Sequence, residues 1–239
     1  MIYYEVDYSK VIVNKLKIIK SCKELNQLIG DNAKWDDENH SLQTSDYRVA
    51  PIDLTAGTEC FDSVFSALNI DFEAPTMFLS ECVIIYIPTE AGNSLINWTS
   101  NRFKESVFIT YEQIKPYDEF GSMMIKNIEN KGCPLLSINS FPEIKDQRER
   151  YLGFGWKRVD VLDMLDVYNY FIEKERVKET ERLEIFDEFE EWYLIQGHYC
   201  YVLAINSQDP TKIKQYHFED KKPLTKSSGT IPIYNKFMS

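Results

Sequence analysis

Three acidic residues hold the most informative positions in this chain. Asp7, Asp53 and Glu81 each stand at or just past the carboxyl end of a segment that reads as a β-strand. In open α/β sheets, ligands bind in the crevice outside those strand ends. A carboxylate there can accept both hydrogens of a ribose cis-diol, or one from an adenine amino group. Acids also end strands for purely structural reasons, as loop starters and helix caps. Three in order on consecutive strands bring a nucleoside-type ligand into contention beside that plainer reading.

The motifs the chain lacks narrow the chemistry further. There is no G-x-S-x-G elbow, no H-E-x-x-H pair and no phosphate-binding P-loop. Three histidines, His40, His198 and His217, leave little for a metal centre or a histidine base, and no metal ligand set is expected. His198 opens an apolar strand, where a satisfied core histidine is the expected reading. Gly153-Phe154-Gly155 lacks a third glycine and precedes a strand, so it reads as a helix stop and turn. Cys22, Cys60, Cys82, Cys133 and Cys200 are scattered and odd in number, which fits neither a disulfide scaffold nor a zinc site.

The elements that must position the acids follow from pattern. Residues 2–8 form an aromatic, β-branched strand ending in Asp7, and 9–20 a helix with Val13, Leu16 and Ile19 on one face. Residues 21–45 are polar and read as loop around one short helix. Strand 46–52 leads to Asp53, helix 60–68 follows, and strand 76–79 leads to Glu81. A helix over 89–102 and a strand over 106–110 complete an alternation that predicts a parallel α/β sheet. Beyond residue 118 helices dominate. Strands 157–162 and 198–205 are expected as a C-terminal antiparallel pair, separated by a long acidic helical stretch over 173–196. In that stretch Asp187, Glu188, Glu190 and Glu191 face solvent, and Leu183, Phe186, Phe189 and Trp192 supply the apolar stripe. Residues 206–239 read as a polar tail outside a 1–205 domain, with Lys-Ser-Ser-Gly at 226–229.

A net charge of −11 opposes nucleic acid and anionic membranes as partners. The first residues lack the basic and apolar regions of a secretory leader, and no apolar stretch approaches the roughly 20 residues of a membrane span. A cytoplasmic monomer is the expectation.

The segment Pro75-Thr76-Met77-Phe78-Leu79-Ser80-Glu81-Cys82-Val83-Ile84-Ile85-Tyr86 resembles the P-T-x-x-x-x-E-C-V-x-x-Y stretch of leucine carboxyl methyltransferases. Further matches follow in the family's order: Glu5-Val6-Asp7, Tyr47-Arg48-Val49 leading to Asp53-Leu54, and Tyr111-Glu112-Gln113. Asp118-Glu119-Phe120-Gly121, Gly155-Trp156 and the stretch from Glu181 to Tyr199 continue it, so the resemblance covers about residues 2–205. It implies a class I methyltransferase sheet, Rossmann-like, with S-adenosylmethionine as cofactor. The implied activity is methyl esterification of the C-terminal leucine of the protein phosphatase 2A catalytic subunit. It also implies roles for single residues. Asp7 would hold the cofactor ribose, Asp53 and Leu54 its adenine end, and Glu81 its methionine portion. Tyr86 would stand as the catalytic residue near the transferring methyl and the leucine carboxylate.

Family members carry an N-terminal helical region and a glycine loop, both of which would precede Met1. The chain is accordingly expected to be truncated at its N-terminus and inactive by itself. Two other functions compete: a non-catalytic phosphatase-binding protein, and a related methyltransferase that modifies tRNA.

Overall fold

The computed structural model describes residues 1–184 and 187–215. It opens with β1 (Tyr3–Asp7), α1 (Ser9–Ser21) and α2 (Lys23–Ile29), then β2 (Lys34–Asp36), β3 (Ser41–Gln43), β4 (Tyr47–Pro51) and α3 (Thr58–Ala67). The next stretch is β5 (Thr76–Glu81), a 3-10 turn over Ile84–Tyr86, α4 (Thr89–Arg102) and β6 (Ser106–Gln113). Then come α5 (Glu119–Asn130), α6 (Ile144–Gly153), β7 (Arg158–Asp163) and α7 (Met164–Tyr170). The described chain closes with α8 (Lys174–Glu181), α9 (Phe189–Gly197), β8 (Tyr199–Asn206) and α10 (Pro210–Gln215).

The strands form two four-stranded sheets, ordered β1-β4-β3-β2 and β5-β6-β8-β7. β1 and β4 pair in parallel from Tyr3↔Tyr47 to Asp7↔Pro51, and among the described residues β4 is the strand beside β1. β5 and β6 are likewise parallel, from Thr76↔Ser106 to Glu81↔Tyr111. β7 and β8 are the expected antiparallel pair, and β8 sits between β6 and β7, antiparallel to both.

Two expectations are corrected. Residues 21–45 hold a β-hairpin, β2 and β3, besides the short helix. Its register is fixed from outside by Leu42, which is fully buried opposite Val49, rather than by any alternation of its own. The acidic 173–196 stretch is not one helix; it is broken between α8 and α9. Leu183 at the break is 84% exposed, so the apolar stripe does not run through it. Phe186, His217 and the 226–229 run lie outside the described residues. Residues 207–212 of the expected tail are tied to the sheet, because the Glu105 carboxylate accepts from Ser207, Gln208 and Lys212.

Beside a cluster of Ile12, Leu16, Leu42 and Val49 that packs α1 on β3 and β4, two further apolar clusters hold the sheets. One surrounds Phe108, Tyr151, Trp156 and Val202. The other is aromatic, with Phe61, Phe65, Trp98 and Phe103 at its centre. Val6 from β1, Ile52 and Leu54 from beyond β4, and Phe78 from β5 all pack into it. The segments that carry Asp7, Asp53 and Glu81 therefore share one core. Among the described residues, no helix is long and apolar enough to cross a membrane.

Candidate functional site

Asp7 and Asp53 are brought together by the parallel register. Asp7 lies opposite Pro51, and the Ile52 N–H donates to the Asp7 carbonyl at 2.9 Å, which places Asp53 on the same sheet edge. Both side chains are exposed. Asp7 Oδ1 accepts from the Tyr8 N–H at 2.7 Å. Asp53 Oδ1 accepts from the Thr55 hydroxyl at 2.7 Å and the Thr55 N–H at 2.9 Å, and these bonds hold its carboxyl below the usual range. Each acid keeps its second oxygen for a ligand hydroxyl or amine. Leu54 contributes to the aromatic core.

Glu81 belongs to a second group, at the end of β5. No hydrogen bond or ion pair among the described residues links it to Asp7 or Asp53. Past Glu81 the backbone turns sharply, with Cys82 at φ 51°, a left-handed conformation that non-glycine residues seldom adopt. Two bonds fix the turn. The Cys82 N–H donates to the Tyr111 carbonyl at 2.8 Å, and the Ile85 N–H donates to Glu112 Oε1 at 2.8 Å. The backbone N–H groups of Ile84 and Val83 are also directed at that carboxylate.

Glu112 is 1% exposed, and the fully buried face of the site depends on it. Burial pushes its carboxyl up to about 7, while the field of Arg150 and the three N–H donors pull the other way. Arg150 is itself buried. Its Nε donates to Asn93 Oδ1 at 2.9 Å, and its guanidinium lies 4.2 Å from the Phe141 ring centroid. Burial lowers its pKa, opposed by Tyr151 and Glu112. The pair's chemistry is structural: it holds the backbone that presents Cys82 and Tyr86.

Tyr86 ends the 3-10 turn, half-buried beside Ile85, Leu135 and Ile138. Burial raises its phenol pKa, with Cys82 and Tyr199 adding to the rise and a hydrogen bond from Gln113 opposing it. The hydroxyl is therefore a neutral donor at pH 7. Burial also lifts the Cys82 thiol to about 11, so it is no nucleophile at neutral pH.

Sequence reasoning missed two residues here. Gln113, 3% exposed at the end of β6, pairs in register with Tyr199, the first residue of β8, and its Nε2 donates to Tyr199 Oη at 3.2 Å. Tyr199 in turn stacks on Tyr111, with ring centroids 5.0 Å apart. The available signal was the unbroken polar run Tyr111-Glu112-Gln113 at a strand end. The partner of Gln113 lies 86 residues away. His198 proves to be the satisfied core histidine expected: it is 4% exposed, bonded to the Leu194 carbonyl at 2.7 Å and to Asp118. Gly155, with φ 93°, follows α6 as the expected stop and turn.

Residues 1–100 match the family model for leucine carboxyl methyltransferase. Over those 100 residues the chain is similar to the leucine carboxyl methyltransferase family. It is 38% identical over 205 residues to the leucine carboxyl methyltransferase 1 homolog of Arabidopsis thaliana, covering 86% of this chain and 61% of that protein. It is 30% identical to leucine carboxyl methyltransferase 1 of Bos taurus, covering 89% of this chain and 64% of that protein. Human tRNA wybutosine-synthesizing protein 4 is 32% identical over 207 residues, 86% of this chain and 30% of that protein. The chain thus spans less than two thirds of the length of these relatives.

The fold agrees. A Thermobifida fusca YX protein provisionally named a methyltransferase superimposes with a TM-score of 0.55 at 9% identity, over 86% of this chain and 63% of that one. At that identity the superposition establishes a shared fold. Asp7 and Asp53 offer exposed acceptor oxygens at the carboxyl end of the β1–β4 pair, the edge where open α/β sheets take ligands.

Proposed function

We propose that the protein takes part in methyl esterification of a carboxylate, the C-terminal leucine of the protein phosphatase 2A catalytic subunit. The observation that carries this reading is the character of the turn after β5. It offers the neutral phenol of Tyr86 beside the Tyr199 hydroxyl, a Cys82 thiol that burial keeps protonated and, among the described residues, no cluster of metal ligands. A terminal carboxylate, with a pKa of about 3.5, is already ionised and needs no base. It needs donors that fix one oxygen in line with the methyl and a surface that strips away water.

S-adenosylmethionine supplies a methyl group on a positively charged sulfur. Asp7 and Asp53 would hold its ribose and adenine from the edge of the β1–β4 pair, and Glu81 its amino acid portion. Tyr86, held by the Glu112-bound turn, donates to the carboxylate and orients it. A cytoplasmic monomer acting on a phosphatase belongs to the same proposal.

A second reading has one observation in its favour, the 32% identity to a tRNA wybutosine-synthesizing protein. A net charge of −11 weighs against a polyanionic substrate. One experiment separates the two: incubation of the protein with methyl-labelled S-adenosylmethionine and either the phosphatase catalytic subunit or tRNA. A base-labile label on the terminal leucine is expected when the family's N-terminal helical region and glycine loop are supplied with the chain, and none when that leucine is amidated. Label on tRNA alone would favour the second reading, and label on neither would refute both.

A further inference from the structure

The carboxamide of Gln113 is an expensive choice for its position. The side chain is 3% exposed, and its Oε1 is buried without a hydrogen-bond partner among the described residues. An unmatched buried acceptor is destabilising, a cost that a leucine of similar size would avoid. The cluster around it accounts for the amide. The NH2 end carries two hydrogens. One reaches Tyr199 Oη, 3.2 Å away. Tyr86 and Cys82 also feel that amide, which draws their pKa values down against burial, and Tyr86 also interacts with Tyr199. Stacking against Tyr111, at 16° between the ring planes, fixes the Tyr199 ring and leaves only its O–H free to rotate.

A phenol has one hydrogen to give and accepts through its lone pairs. If its oxygen already accepts an N–H from behind, its own hydrogen turns away from that donor. We infer that Gln113 is a positioning residue that turns the hydroxyls of Tyr86 and Tyr199 together toward the acceptor carboxylate, making Tyr199 a second donor to it. This rests on the carboxylate acceptor proposed above. A carboxylate offers two oxygens to such a pair, whereas an amide or an ester offers one carbonyl. The paired phenols would then separate the free terminal acid from its methylated product and favour product release.

The test uses the protein labelled with carbon-13 at tyrosine Cζ and loaded with S-adenosylhomocysteine. The probes are a peptide ending in a free leucine carboxylate and the same peptide amidated. The free acid is expected to move the Tyr86 and Tyr199 resonances together, and the amide to move neither. Gln113→Leu is expected to weaken free-acid binding tenfold or more while leaving the melting temperature unchanged or higher. Tyr199→Phe is expected to weaken the free acid and leave S-adenosylhomocysteine binding unchanged. A Gln113→Leu protein that binds the free acid as the wild type does, or that loses stability with affinity intact, overturns the inference. Should the wild type bind neither peptide, the carboxylate reading fails. The role of Gln113 is then read without substrate: the Tyr86 titration midpoint should rise in Gln113→Leu, and an unchanged midpoint overturns it.

Discussion

His198 Nε2 lies 2.9 Å from both carboxylate oxygens of Asp118. The same Asp118 caps α5 by accepting from the Gly121 N–H at 2.7 Å, so one carboxylate joins the start of that helix to the start of β8. Desolvation works against its charge, but the Gly121 N–H and His198 outweigh it, and the carboxyl sits below its ordinary value. A depressed acid stabilises the fold above the unfolded pKa near 3.9, and this is lost as pH falls through the folded value. Its side chain is 54% exposed, so the contribution is about 1 kcal/mol or less. Asp118→Asn should flatten the acid limb of a stability curve between pH 6 and 2; an unchanged limb would assign that limb to other acids.

The same cap makes Gly121 intolerant of a side chain. A Cβ there would lie 1.9 Å from the carbonyl oxygen of Lys115, a backbone atom that cannot step aside. Gly121→Ala should cost about 3 kcal/mol or more. At Gly153, in the last turn of α6, a Cβ meets nothing within 4 Å. Gly153→Ala should be neutral or stabilising by up to about 1 kcal/mol. Urea denaturation of the two variants checks the contrast, and equal midpoints would contradict it.

Glu112 titrates in the opposite sense to Asp118. Burial raises its folded pKa to about 7, so from pH 4.5 to 7 the folded chain holds a proton that the unfolded chain has released. Stability contributed by this group therefore falls as pH rises across that window, by on the order of 3 kcal/mol. A protonated-carboxyl infrared band should persist at pH 6 and disappear in Glu112→Gln, whose stability should depend less on pH there. A wild type without that band would mean that Arg150 keeps the carboxylate ionised.

At the rim the acids should act on ligand rather than on fold. Asp7→Ala and Glu81→Ala remove exposed carboxylates that pack against no core. Each should weaken S-adenosylhomocysteine binding by roughly tenfold to a hundredfold, the worth of one or two charged hydrogen bonds. Their melting temperatures should stay within about 2 °C of wild type, since surface changes of this kind usually stay within ±0.5 kcal/mol. Calorimetric titration and thermal unfolding of the same samples decide it: unaltered binding would remove these acids from the cofactor site.

What could be read in the sequence was what local pattern specifies. The α4 boundaries emerge at 89–102 because a Pro88-Thr89 start and an Arg102 end flank an apolar face. Asp7, Asp53 and Glu81 fall at strand ends because β1, β4 and β5 are short apolar runs stopped by an acid. The hairpin β2–β3 was hidden, since three-residue strands owe their form to Leu42 packing beneath Val49, a contact that no local alternation signals. Glu112 was hidden in another way: a strand glutamate reads as a solvent-facing residue, and only Arg150 and the turn after β5 reveal it as buried. Tyr199 became legible only when β8 was laid against β6.

The placement of β8 also governs how the molecule is made. The last strand described is an interior one of its sheet, wedged between β6 and β7. While the ribosome is still extending the chain toward residue 206, Phe108 and Val161 have no β8 residue to close over them. Their pairings also span long sequence separations, as in Ser106↔Asn206, which slows closure further. Nascent chains of this protein should therefore depend on chaperones until synthesis passes β8, and any message truncated before that point should yield an insoluble product.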